Sequence, residues 1–125
     1  MELKKTKIEE INELAKKIAK DKRVKAVYLF GSYANGKTHI HSDIDLCVFS
    51  DDEDYLAGYG SEKIDVSMFA MLPIQIRFRV LKEGIPLVVK DKNFVDKLKI
   101  KTLREYIDFR PLMVKFYREK LGCTI

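Results

Sequence analysis

The chain has 125 residues, 46% of them hydrophobic and 34% charged, with no Trp. That length suits one domain spanning 1–125, able to bury roughly two thirds of its unfolded surface and so to fold without disulfide or metal staples. The net charge is +5, and no apolar run approaches the roughly 18 residues a membrane span needs, so no membrane-spanning helix is expected.

Ile8, Ile11, Ala15 and Ile18 recur at helical spacing with Lys and Glu between them, which predicts an amphipathic helix over 5–20. Asp21-Lys22-Arg23 ends it. Val24 to Phe30 is a short β-rich run, hence a strand, punctuated by Gly31. Residues 32–36 fit a short helix with Ser32 at its N-cap, and Gly36 to His41 a loop. From Asp43 to Ser50 the pattern alternates, with Ile44, Leu46 and Val48 facing one way and Asp43, Asp45 and Cys47 the other. An acidic connection, Asp51 to Gly60, leads to a second alternating run, Lys63 to Phe69, where Asp65 and Ser67 oppose Ile64, Val66 and Met68.

Pro73 suits the first turn of a helix running to about Glu83, with Ile76, Val80, Leu72 and Phe78 on its buried side. Gly84 is its stop, and Ile85 to Val89 a further strand. Residues 92–120 read as a C-terminal helix built on Val95, Leu98, Leu103, Tyr106, Met113, Phe116 and Tyr117, which Pro111 is expected to break or kink. The order α-β-α-β-β-α-β-α implies an α/β fold with a mixed sheet and helices packed on one face. No repeat, low-complexity stretch or linker interrupts it.

Cys47 and Cys123 have neither a short metal-type spacing nor the density of a disulfide framework. The N-terminal residues open an amphipathic helix and lack the apolar core of a signal peptide. A reducing, cytoplasmic setting is the expectation.

Charge is unevenly placed: residues 1–23 carry +3, residues 24–70 carry −5 and residues 71–125 carry +7. An acidic middle between basic flanks fits a carboxylate metal site whose surroundings attract polyphosphate. The basic third lacks the Gly and aromatic interleaving of a nucleic-acid interface, so direct nucleic-acid binding is not expected.

The chemistry centres on Leu29-Phe30-Gly31-Ser32-Tyr33-Ala34-Asn35-Gly36 and Ser42-Asp43-Ile44-Asp45-Leu46. Gly31 lets a ligand approach the backbone. Ser32 opens a helix whose free N–H donors and positive dipole end suit phosphate. Asp43 and Asp45, two apart on a strand, point to one face. Carboxylates held that close repel unless a cation sits between them, and Mg²⁺ is the hard ion for such a set. If the two alternating strands are neighbours, Asp65 joins the pair. Three carboxylates around two metals would make the clamp used for in-line phosphoryl chemistry, with Asp65 placed to ligate metal or take the acceptor's proton.

Gly31-Ser32, ten residues, then Asp43-Ile44-Asp45, with a third carboxylate in Lys63-Ile64-Asp65-Val66, resembles the nucleotidyltransferase superfamily of DNA polymerase beta and the aminoglycoside nucleotidyltransferases. The chain lacks room for an acceptor-binding domain, which resembles the minimal nucleotidyltransferases, abbreviated MNT. The segment Gln75 to Leu87 and the segment Leu103 to Leu112 are similar to those of MntA-type antitoxins. The resemblance implies transfer of AMP from ATP onto a tyrosine of a HEPN-domain toxin, usually an RNase, which is thereby neutralised. It implies Gly31, Ser32 and Lys37 at the nucleotide and Asp43, Asp45 and Asp65 at Mg²⁺ as catalytic and metal residues. Asn35 stands where many relatives carry Arg, removing a positive charge near the triphosphate, and Lys37 is the residue that could replace it.

Plainer readings stand beside these. Gly-Ser turns are common, and an Asp-x-Asp pair can simply face solvent. His39 and His41 read as loop residues rather than ligands, Asp51 to Asp54 as a solvated turn, and Arg77 and Arg79 as the wet face of a helix. A small-molecule nucleotidyltransferase or an antitoxin acting by binding alone are the alternative functions. Homo- or hetero-oligomers are both compatible with the sequence.

Overall fold

The computed structural model describes residues 5–31, 44–52 and 64–121. Helix α1 (Lys5–Ala19) is followed by strands β1 (Val24–Phe30), β2 (Ile44–Ser50) and β3 (Ile64–Met68). A single 3-10 turn (Phe69–Met71) leads to α2 (Ile74–Glu83), β4 (Ile85–Val89) and α3 (Lys92–Phe116), which closes in a short π-type turn (Tyr117–Leu121). The predicted element order is therefore present, apart from the short helix at 32–36, which lies outside the described residues.

The four strands form one mixed sheet in the order β3-β2-β1-β4. β1 runs antiparallel to both β2 and β4, and β2 runs parallel to β3. The edge strand β4 carries Pro86, whose missing N–H is tolerated there because an edge strand has one unpaired side.

Both faces of the sheet are covered, which corrects the expectation of helices on one face. On one face α1 places Ile11, Ala15, Ile18 and Ala19 against Val24, Val27, Leu29, Ile44, Leu46, Val48 and Met68. On the other, Val80 of α2 and Val95 of α3 pack over Ala26, Tyr28, Cys47, Phe49 and Phe69. The reason lies in β1 and β2, which are apolar on both sides: Val27 and Leu29 serve one core, Ala26 and Tyr28 the other. A strand buried on two sides needs a layer on each. A register shift between Val24 and Ala26 adds the extra residue that puts Val24 and Val27 on the same side.

Local signals fix the element ends. Lys90 Nζ donates to the carbonyls of Ala19 at 2.6 Å and Asp21 at 2.9 Å, capping the C-terminus of α1 with a cation. The Asp91 carboxylate accepts the Phe94 N–H at 3.0 Å, an N-cap for α3. Gly84 ends α2 with its N–H bonded to the Val80 carbonyl at 2.8 Å.

Two expectations for α3 are modified. The helix runs through Pro111 without ending, so of the expected break or kink the break is absent. Pro111 removes the N–H that would bond the Ile107 carbonyl, but both residues are exposed, so water can take that carbonyl's place. Leu103 and Phe116, expected in the core, are also exposed. Tyr106 instead stacks on Phe78 of α2 with ring centroids 4.0 Å apart. Among the described residues, no helix is long and apolar enough to cross a membrane.

Candidate active site

The two alternating strands are neighbours, and their register sets Asp45 directly beside Asp65. In a parallel ladder, residues in register point to the same face. That face is the one bearing Cys47, Phe49 and Phe69, hence the one covered by α2 and α3. Asp45 is half-buried, while Asp65, on the edge strand β3, is exposed. One carboxylate is thus enclosed and the other open to an incoming group.

Asp45 also pairs across the antiparallel ladder with Phe30, the last residue of β1. The chain then turns at Gly31, which has φ of +83°. A Cβ there would sit 2.5 Å from Asp45 Oδ2. Glycine is required twice over, by the left-handed backbone and by the approach of the carboxylate. The turn and Asp45 therefore form one unit in which the backbone leaving β1 lies against the carboxylate.

Gly31 also walls a cavity of about 120 Å³ together with Phe30, Ile76, Arg79, Val80 and Glu83. Arg77, by contrast, is committed to structure: Nε donates to the Leu72 carbonyl at 3.0 Å and Nη1 lies 3.2 Å from Glu105 of α3. The two arginines read alike in sequence, both as a wet helix face. Their separation follows from Arg79 lying three residues after Ile76, at the margin of the apolar stripe facing Gly31.

Ser32, Lys37, Asp43, His39 and His41 lie outside the described residues. Among the described residues no group of three His, Cys, Asp or Glu side chains gathers in a metal-holding arrangement. Asp45 and Asp65 supply a pair of hard oxygen donors, a set that fits Mg²⁺ and would leave room for water and phosphate ligands. The acidic turn after β2 is not a rival site in its described part: Asp51 lies 3.5 Å from Lys25 and Asp52 lies 4.0 Å from Arg23.

A parallel β2–β3 pair thus sets two carboxylates in register, next to a glycine turn leaving β1. Residues 12–93 match the family described as polymerase beta, nucleotidyltransferase, and the chain belongs to that family. A Methanocaldococcus jannaschii protein named as a candidate protein adenylyltransferase is 49% identical over 51 residues, covering 40% of this chain and 51% of that relative. The matched segment thus spans about half the length of that curated relative.

Solved structures agree in fold. A chain of a toxin–antitoxin complex crystallised with AMP-PNP superposes with a TM-score of 0.62 at 21% identity, covering 89% of this chain and 96% of that one. A chain of the MntA–HepT toxin–antitoxin complex gives 0.61 at 16% identity, covering 84% and 95%. A complex of a tri-AMPylated Shewanella oneidensis HEPN toxin with its MNT antitoxin gives 0.60 at 17% identity, covering 84% and 91%.

Proposed function

We propose that this chain transfers AMP from ATP to a tyrosine of a HEPN-domain toxin and thereby neutralises it. The observation that carries the reading is the register of Asp45 with Asp65 beside the left-handed Gly31 turn. Membership of the nucleotidyltransferase family supports the reaction class. The naming of the archaeal relative as a candidate protein adenylyltransferase supports AMP as the group moved. Structural likeness to antitoxins solved with HEPN toxins supports the partner.

In this mechanism the tyrosine oxygen attacks the α-phosphorus of ATP. A new O–P bond forms as the α–β bridge breaks, and pyrophosphate leaves. Asp65, open to the surface, accepts the phenolic proton. Asp43 and Asp45 would hold Mg²⁺ when it is bound, and Gly31 and Ser32 would offer backbone and hydroxyl donors to the phosphates. Bound Mg²⁺ would supply charge neutralisation on the triphosphate and a lowered pKa at the attacking hydroxyl. Lys37 adds positive charge at the triphosphate.

A protein acceptor is favoured over a small molecule by α3. Ile100, Leu103 and Ile107 are large, exposed and spaced three and four apart on its outer side. Pro111 and Val114 continue the row into a groove of about 620 Å³. Such a surface suits a protein partner.

The test reads the neighbouring gene for a HEPN reading frame, combines the chain with that HEPN protein and Mg-ATP, and measures intact mass. One or more AMP increments on the toxin are expected, lost by at least about a hundredfold in rate in Asp45→Asn and Asp65→Asn. An unmodified toxin that is still inhibited would replace the catalytic reading with inhibition by binding.

A further inference from the structure

The cavity at Gly31 raises a question of charge. Asp45 lies against Gly31, one of the residues of the cavity wall, and Asp65 stands beside Asp45 in register, so a triphosphate bound there would bring further negative charge to the carboxylates. Among the described residues, Arg79 is the sole cation on the cavity wall that includes Gly31.

Its circumstances fit a ligand-binding role better than a structural one. The Arg79 side chain is 63% exposed, and it forms an ion pair with Glu83 one turn away, at 3.9 Å from Nε. A pair that long on a helix surface contributes little to stability. The guanidinium is thus weakly held, near a turn built for close approach. The cavity, at about 120 Å³, has room for a phosphate group but not for a nucleoside. Phe30, Ile76 and Val80 form its apolar walls, and low-dielectric walls strengthen a charge-assisted hydrogen bond.

We infer that Arg79 grips the triphosphate tail of the nucleotide from the α2 side, opposite the Gly31 turn. The inference rests on the nucleotide-transfer reading above and adds a specific residue to it. Arg79 brings positive charge to the cavity wall it shares with Gly31, and the planar fork of its guanidinium matches two phosphate oxygens. Glu83 holds the side chain in readiness and gives it up when phosphate arrives.

Calorimetric titration of the full chain with Mg-ATP tests this. Arg79→Gln should weaken binding about tenfold, equivalent to about 1.4 kcal/mol. Arg79→Lys, keeping the charge but not the fork, should weaken it about two- to fourfold. Both variants should melt within about a degree or two of the parent, since the exposed pair adds little to stability. Binding by Arg79→Gln within twofold of the parent overturns the inference. So does a fall in melting temperature that accounts for the lost affinity and that Arg79→Lys fails to restore. A parent chain that binds no Mg-ATP overturns the nucleotide reading itself, an outcome separate from either.

Discussion

Gly31 is the residue on which backbone geometry and chemistry meet. Its φ of +83° is costly for any L-residue, and a Cβ would strike Asp45 Oδ2 at 2.5 Å. Gly31→Ala is therefore expected to destabilise the fold by about 1–2 kcal/mol from the backbone alone. The carboxylate must also move, so Mg-ATP affinity should fall more than the stability loss explains. Urea unfolding and nucleotide titration on the same variant separate the two effects. Asp21 is a second residue with a readable electrostatic setting. The Arg23 side chain donates to its carboxylate at 3.0 and 2.8 Å and the Arg23 backbone N–H at 2.9 Å. These bonds hold the Asp21 carboxyl well below the usual carboxylate range, at about 2. A depressed acid stabilises the fold above its ordinary pKa, and that contribution disappears as pH falls from about 4 toward 2. Carbon-detected NMR should place the Asp21 midpoint near 2, and Arg23→Ala should return it toward 3.8. An unchanged midpoint in Arg23→Ala would remove the assigned cause.

The elements themselves were mostly legible. Period-two alternation marks β2 and β3 through their interleaved Asp and Ser residues, and period 3.6 marks α1 and α2 through one apolar side. Less legible was α3, whose inward face (Val95, Leu98, Thr102) and outward row (Ile100, Leu103, Ile107) both obey helical spacing. Spacing alone does not say which row meets the sheet, and Leu103 was assigned inward. Apolar residues on both sides of β1 and β2 were visible, yet placing helices on both faces requires knowing where α1 returns. Asp45 and Asp65 were identified singly, but their adjacency depends on β2 pairing with β3, a long-range fact no local pattern contains. Arg79 is on the wet face of α2, as its spacing implies, but its place on a cavity wall with Gly31 is not legible locally, because Gly31 is 48 residues earlier in the chain. Thr102 is a further surprise of α3. It is 1% exposed, and its hydroxyl has no hydrogen-bond partner among the described residues. Thr102→Val keeps the shape and removes the unsatisfied group, so it should stabilise the chain by about 1 kcal/mol. A loss of stability on thermal unfolding would show that the hydroxyl has a partner in solution.

At the scale of the whole molecule, the sheet sets two like charges side by side on one face. Two carboxylates in register on one face repel, and cross-strand like charges are a known penalty. Nothing in the packing of β2 and β3 needs Asp65: it is exposed on an edge strand, while Ile64, Val66 and Met68 make that strand's core contacts. The carboxylate is thus retained at a cost that a divalent cation would offset. This gives a prediction in which stability reports on function without any acceptor protein. In metal-free buffer, Asp65→Asn should be more stable than the parent by a few tenths to about 1 kcal/mol. Adding Mg²⁺ should raise the melting temperature of the parent through preferential binding to the folded state. In Asp65→Asn that rise should shrink, since one donor and one charge are gone. If Mg²⁺ stabilises both equally, Asp65 is not a ligand, and its role narrows to taking the proton from the acceptor hydroxyl. If Asp65→Asn is less stable than the parent without metal, the carboxylate is held by a favourable contact and the repulsion argument falls.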